Sequence, residues 1–312
     1  MHDFDRPLFK KLANNDTGAA AGHQGGIVIT TDMAVYFPQL TVPTSSLSPT
    51  VDIGVRAALF LENVQVGLVD TRYQYQTWGG TRLERRLTSN LGAIRRAASK
   101  HDYLIIERSL SDPNFYRLTL LRKGTQEFKA FAAKVGSRNW GPVDLSDTPV
   151  AETQIISFEK MQESRELSPF NMFDSSAVLR DSRVARIARS AAFKRRLLPL
   201  YDYRCAICGL SHAGKSGHWE AEAAHIVPRS LKGADDARNG LVLCKSHHWA
   251  FDSGLFGIAS NRTVVLQPAA AAEPRNAHLL PFQGKPITGP SITSFEPSPD
   301  ALAWHRENVA GL

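Results

Sequence analysis

Two short knuckles constrain this chain more than any other feature. "RCAICG" places Cys205 and Cys208 with two residues between them, and "LCKSH" gives Cys244 and His247 the same spacing. Each segment can form a tight turn that aims two ligands at one ion. Four such ligands close a tetrahedral site of the kind structural zinc requires. The pair uses all three cysteines of the 312-residue sequence, and an odd number argues against a disulfide framework. The spacing therefore predicts Zn²⁺ held by Cys205, Cys208, Cys244 and His247. A closed site has no open position for water, so any chemistry lies elsewhere.

More ligand-type side chains lie between and just after the knuckles. "EAAHIVP" carries His225, and "DARNGLVLC" carries Asn239. His248 and Asp252 follow the second knuckle. If that knuckle opens a helix, His248 and Asp252 stand at i and i+4 on one face. Such a pair suits a divalent ion with mixed nitrogen and oxygen ligands. His225, on a strand, would face the same ion across a hairpin and deprotonate a water for attack on a phosphodiester. Asn239 would orient either the imidazole or the loop by hydrogen bonding. Singly, each residue also fits a plainer role: a loop histidine, an Asn-Gly turn, a solvated helix face. Their order around a zinc knuckle pair favours the shared site.

The stretches "RCAICG", "AHIVP", "RNGLVLC" and "HHWAFDSGLFGI" resemble the HNH nucleases, in the zinc-containing branch with McrA-like restriction enzymes. The resemblance runs from about Arg183 to Ile258. It implies a ββα-metal fold, with His225 as general base, Asn239 as the middle residue of the motif and His248 as a catalytic metal ligand. Asp252 matches a position where some relatives carry a second ligand, and Mg²⁺ or Mn²⁺ is the implied ion. Many relatives have Asp or His directly before the base, where this chain has Ala224. Either the ion has fewer protein ligands here, or a carboxylate such as Glu222 or Glu220 contributes.

Upstream, "GGIVITTD", "VDIGVRAALFLENV", "DYLIIERS" and "FYRLTLLRKG" read as strands of a mostly β domain. Helices are expected over roughly Thr88–Ser99 and in "QEFKAFAAKVG", the latter closed by Gly136. Residues from about Asp144 to Ser176 read as a linker containing one short strand, "TQIISFEK". "RVARIARSAAFKRRLLPLY" has helical spacing and a dense basic face. The tail from about Gln267 is rich in Ala and Pro and carries little signal. No apolar run approaches the roughly 18 residues of a membrane span, and "MHDFDRPLFK" lacks the apolar core of a secretory signal. A cytoplasmic location is the expectation. The net charge of +7 favours a polyanionic partner.

Two further stretches are polar in a way that suits DNA. "LANNDTGAAAGHQGGIVI" surrounds polar side chains with small residues, as a loop laid against a partner would. "TRYQYQTWGGTRLERRLT" joins aromatics, a Gly-Gly turn and arginines able to meet phosphates or guanine edges. Its plain alternative is a surface hairpin with solvated charges. Together these stretches resemble the B3-type recognition domain of the EcoRII and BfiI restriction enzymes, over about Leu8–Trp140. That resemblance implies two arms gripping the major groove. The first arm would present Asn14, Asp16, Thr17, His23 and Gln24. The second would present Trp78, Thr81, Arg82, Glu84, Arg85 and Arg86.

The expected fold is thus α+β, with a B3-like β pseudobarrel with flanking helices (1–145), a linker (146–178) and a zinc-braced ββα-metal HNH domain (179–312). The expected function is a restriction-type DNA endonuclease acting on double-stranded DNA, as a homodimer if it breaks both strands. One alternative is a modification-dependent enzyme that requires 5-methyl- or 5-hydroxymethylcytosine. Another is a non-catalytic, zinc-containing DNA-binding regulator.

Overall fold

The structure is a computed structural model that describes residues 4–19, 25–43, 49–78, 82–174, 182–214 and 219–312, without the side chains of Trp78 and Arg82. The described residues up to Gln154 form one compact unit, and those from Ile155 onward form a second. No described helix is long and apolar enough to cross a membrane.

The first unit is a mixed α+β body around a curled, half-barrel sheet of eight strands. In chain order these are β1 (Leu8–Lys11), β2 (Ile27–Ile29), β3 (Thr50–Leu61), β4 (Val64–Trp78), β5 (Arg82–Leu87), β6 (Tyr103–Arg108), β7 (Phe115–Leu121) and β8 (Trp140–Pro142). They lie side by side as β2-β5-β4-β3-β7-β6-β1-β8. Every pairing is antiparallel except β3 with β7. Three helices flank it: α1 (Thr31–Ala34), α2 (Gly92–Ala97) and α3 (Gln126–Val135).

Strand alternation divides the apolar side chains between two cores. Leu8 joins the main core, where the Phe37 ring stacks on Tyr73 and Tyr116 at 4.9 and 5.1 Å. Phe9, one residue on, joins a second core with Tyr103 and Val135. Helix α3 supplies Phe128 and Phe131 to that second core. The Thr125 hydroxyl caps its start by accepting from Phe128 N–H at 3.1 Å. Gly136, with φ of +63°, ends it as the sequence predicted.

The expected strand "TQIISFEK" is instead helical, within α4 (Glu152–Glu166). Its buried positions, Glu152, Ile155 and Gln162, recur at helical spacing. Two of these three are polar, so no hydrophobic period marks the helix. The Ile-Ile pair suggests a strand, but the straight-chain, helix-favouring residues after it prevail.

The second unit begins in α4 and continues with α5 (Arg183–Leu200), whose start is capped by Ser182. Then come β9 (Glu222–His225), β10 (Gly240–Leu243) and α6 (Lys245–Asp252), followed by β11 (Phe256–Ile258) and β12 (Val264–Leu266). Helices α7 (Pro268–Ala272) and α8 (Pro299–His305) complete it. The apolar face of α5, including Phe193, Leu197 and Leu198, joins the core with β9 and β10. Part of its basic face is engaged internally: Arg196 pairs with Glu166 at 2.5 Å and Arg195 with Glu159 at 3.3 Å.

Candidate active site

The two knuckles converge. Ligand atoms of Cys205, Cys208, Cys244 and His247 all lie within 4.8 Å of one another. Cys208 and Cys244 sulfurs are 4.0 Å apart, and His247 Nδ1 lies 3.1 Å from Cys244 Sγ and 3.5 Å from Cys205 Sγ. A tetrahedral zinc with bonds of ~2.3 Å to sulfur and ~2.0 Å to nitrogen separates such atoms by about 3.5–3.8 Å. The donor set therefore fits. The Cys205 thiol is held down to about 3, chiefly by its hydrogen bond with Cys244 and against the opposing effect of burial.

Strands β9 and β10 pair antiparallel, with His225 opposite Gly240 and Glu222 opposite Leu243. Cys244 then caps α6, so hairpin and helix together make a ββα element. His225, Arg229, His248, Asp252 and His305 line one cleft of about 360 Å³ beside it. The His248 Nδ1–H donates to Glu222 Oε2 at 2.8 Å. That leaves Nε2 turned toward Asp252 Oδ2, 3.4 Å away. An octahedral ion with bonds of ~2.1 Å places adjacent ligand atoms about 3 Å apart, so His248 Nε2 and Asp252 fit one divalent ion. Burial pulls the His248 pKa down, but the Glu222 hydrogen bond and the Asp252 and Glu222 charges outweigh it, leaving it above its ordinary value. Burial raises Asp252 against the pull of both histidines. The His225 ring stacks on Phe193 at 3.9 Å, and its Nε2 lies 2.9 Å from Asp235 Oδ1.

Asn239 is fully buried and fastens the loop between β9 and β10. Its Oδ1 accepts from Val227 N–H at 2.9 Å, while Nδ2 donates to Val227 O at 3.2 Å and Ala234 O at 2.9 Å. Of the two roles the sequence allowed, it holds the loop and not the imidazole.

Residues 205–259 match the model of the HNH endonuclease family. This segment is an HNH endonuclease domain. No curated protein matches the chain significantly. Among solved structures, the chain is similar to a modification-dependent restriction endonuclease, TagI, at 24% identity and a TM-score of 0.28. That match covers 37% of this chain and only 36% of the other.

Within the HNH domain, the position before His225 behaves as its residue type dictates. Ala224 is fully buried in the core. The two carboxylates that the sequence offers in its place have other partners: Glu220 accepts from Lys245 N–H at 2.8 Å at the start of α6, and Glu222 holds His248 Nδ1. Asp235, Arg229 and Phe193 were not picked out from sequence. The acidic pair in "GADDARNG" was the available signal for the first. His305 lies in the tail that seemed uninformative.

In the first unit, two expected base-reading residues point inward. Asp16 is fully buried: Oδ1 accepts from Lys10 Nζ at 2.7 Å and Val28 N–H at 2.8 Å, and Oδ2 from Ala13 N–H at 2.8 Å. Burial pushes the Lys10 ammonium below its usual value despite Asp16 beside it. Thr17 is also buried, its hydroxyl donating to Asn14 O at 2.8 Å. These residues brace the foot of the first loop. Short side chains flanked by glycine had suggested exposure, but a buried lysine needs a carboxylate. Asn14 is exposed. Glu84 and Arg86 pair with each other at 2.7 Å, and Arg85 lies over the Tyr75 ring at 3.8 Å. His23, Gln24 and Thr81 lie outside the described residues, as do the Trp78 and Arg82 side chains. Beside Glu84 and Arg86, on the same sheet face, Arg72 donates to Gln74 and Gln74 to Gln76. The alternation in "RYQYQ" was the signal for that row.

Proposed function

We propose that this protein is a restriction-type DNA endonuclease. In this reading the N-terminal unit, a B3-like domain, recognises a short duplex sequence. The HNH domain hydrolyses phosphodiester bonds with a divalent ion. The observation that carries the reading is the convergence of His225, His248, Asp252 and Arg229 on one cleft beside a ββα element.

His225 takes a proton from a water as its oxygen bonds to phosphorus. The bond from phosphorus to one ester oxygen breaks, and that oxygen takes a proton from solvent and leaves as an alcohol. Arg229, in the cleft wall, provides a cation for the phosphate. Asn239 keeps the loop bearing Arg229 in register with the base. His248 and Asp252 would hold Mg²⁺ or Mn²⁺, which when bound offsets negative charge on the phosphate and on the leaving oxygen. Glu222 keeps His248 Nε2 available by occupying Nδ1. The zinc cluster fixes the start of α6 and with it the position of His248. The sheet face bearing Arg72, Gln76, Glu84 and Arg86, with the exposed Asn14, is the proposed DNA-contacting surface. One such site serves one strand at a time, so a double-strand break calls for a second copy of the chain.

The test is nicking of supercoiled plasmid and of phage DNAs with and without modified cytosine, in Mg²⁺ or Mn²⁺ and in EDTA. Metal-dependent cutting is expected, and His225→Ala should abolish it while leaving DNA binding intact. Cutting by that variant at the wild-type rate would remove His225 from its role. Cutting confined to modified DNA would favour the modification-dependent alternative, and binding without any cutting would favour the regulator.

A further inference from the structure

We infer that Asp235 is the positioning residue of the base: it fixes the His225 proton on Nε2, so that Nδ1 is the nitrogen that takes the proton of the attacking water. This rests on the nuclease reading above and assigns a residue to it that neither motif nor family resemblance supplied.

The argument starts with donor chemistry. An ionised carboxylate only accepts hydrogen bonds. The 2.9 Å contact between His225 Nε2 and Asp235 Oδ1 therefore places the hydrogen on Nε2. A neutral imidazole carries one N–H, so Nδ1 keeps its lone pair. Asp235 is buried beside two arginines: Arg189 Nε lies 3.3 Å and Arg229 Nε 3.6 Å from its Oδ2. One carboxylate oxygen thus serves the histidine, and the other faces the two cations.

The ring is also fixed by packing. Phe193 stacks on it at 3.9 Å with the planes 11° apart. Exchanging the two nitrogens requires rotation about the Cβ–Cγ bond, which would sweep the ring through Phe193. The loop that carries Asp235 is fastened one residue earlier, where Ala234 O accepts from Asn239. The neighbouring Asp236 turns away to Arg238, at 2.7 Å. Two adjacent carboxylates therefore have separate tasks, and Asp235 is the one aimed at the base. When water gives its proton to Nδ1, the imidazolium forms beside a fixed negative charge, which stabilises it.

Two measurements on the zinc-loaded full chain test this. Long-range proton–nitrogen NMR of the histidine rings, with His225 assigned by the loss of its signals in His225→Gln, should show Nε2 protonated and Nδ1 not. The opposite tautomer overturns the inference, whatever any variant does. Separately, Asp235→Asn should retain zinc and, with no Mg²⁺ or Mn²⁺ added, bind DNA within about twofold of wild type. Its single-turnover cleavage should fall on the order of 10²-fold or more, the acid limb of its pH–rate profile should move to lower pH, and Asp235→Glu should recover part of the rate. Asp235→Asn cutting at the wild-type rate with an unmoved acid limb also overturns it. If Asp235→Asn does not fold, the tautomer decides alone. Wild-type protein that cuts no DNA would overturn the nuclease reading itself, a result distinct from the wrong tautomer in an active enzyme.

Discussion

Asn239 shows how one side chain can hold a site without touching its chemistry. Its three hydrogen bonds all go to buried backbone of the loop between β9 and β10. Asn239→Ala leaves those groups unpaired, at about 1–3 kcal/mol each. Urea denaturation is expected to show a loss of ~3 kcal/mol or more, with activity lost as well. Asn239→Asp should not rescue it, because a carboxylate cannot donate to two carbonyls. His305 makes a different point. Burial is the main cause that lowers its pKa to about 4, although its Nε2–H donates to Phe251 O at 3.1 Å. The unfolded chain protonates this residue near pH 6.5 while the folded chain stays neutral. Stability should therefore fall as pH drops from about 6.5 to 4, by about 3 kcal/mol from this group. His305→Gln, which can still donate to Phe251 O, should flatten that window in melting curves. Curves identical to wild type would refute this account. At this scale the ligand types were legible in sequence, because zinc and HNH chemistry demand particular side chains at particular spacings. Which of Asp235 and Asp236 meets His225 was not, since adjacent residues differ only in the direction the loop gives them.

The ββα element depends on a close approach that composition hides. A Cβ on Gly233 would lie 1.8 Å from Val227 O, and that carbonyl already accepts from Asn239. Gly233→Ala must push the loop open. We expect more than about 2 kcal/mol of destabilisation, together with weakened cleavage. A variant with wild-type stability and activity would show that the loop yields without consequence. Among the other elements, β2, β3, β6 and β7 follow from runs of β-branched and aromatic residues, as does α3 from its capping Thr125 and Gly136. Helix α4 was missed because Glu152 and Gln162 are buried on its inner stripe. Their polar character erases the hydrophobic period on which such readings rely. The length of β4, fifteen residues from Val64 to Trp78, was missed for a related reason: polar residues such as Gln74 sit at positions the fold shelters.

At the scale of the whole molecule, the two units have separate hydrophobic cores. Among the described residues, the cluster that could hold a metal ion lies in the second. A strong chelator at neutral pH should therefore speed hydrogen exchange in β9, β10 and α6 while leaving β3, β4 and β7 protected. Equal loss of protection in both units would mean that they fold as one cooperative body. The expected DNA arms illustrate how the whole fold reassigns residues. Asp16 and Thr17 looked like exposed readers in a flexible loop, yet both are drawn inward, where Asp16 pairs with Lys10 and ties the loop to Val28 and Thr17 donates to Asn14 O.

The sequence by itself determined the four side chains, Cys205, Cys208, Cys244 and His247, that could hold one metal ion, and the HNH segment that contains them. These are set by residue identity and spacing, which act over a few positions and survive in a linear text. Only the tertiary structure decided that Asp235 meets His225, that Glu222 meets His248, that His305 from the tail lines the cleft, and that Asp16 is a brace. Those pairings join residues far apart in the chain or select between neighbours. They depend on which directions the packed backbone leaves open, and no local pattern encodes that.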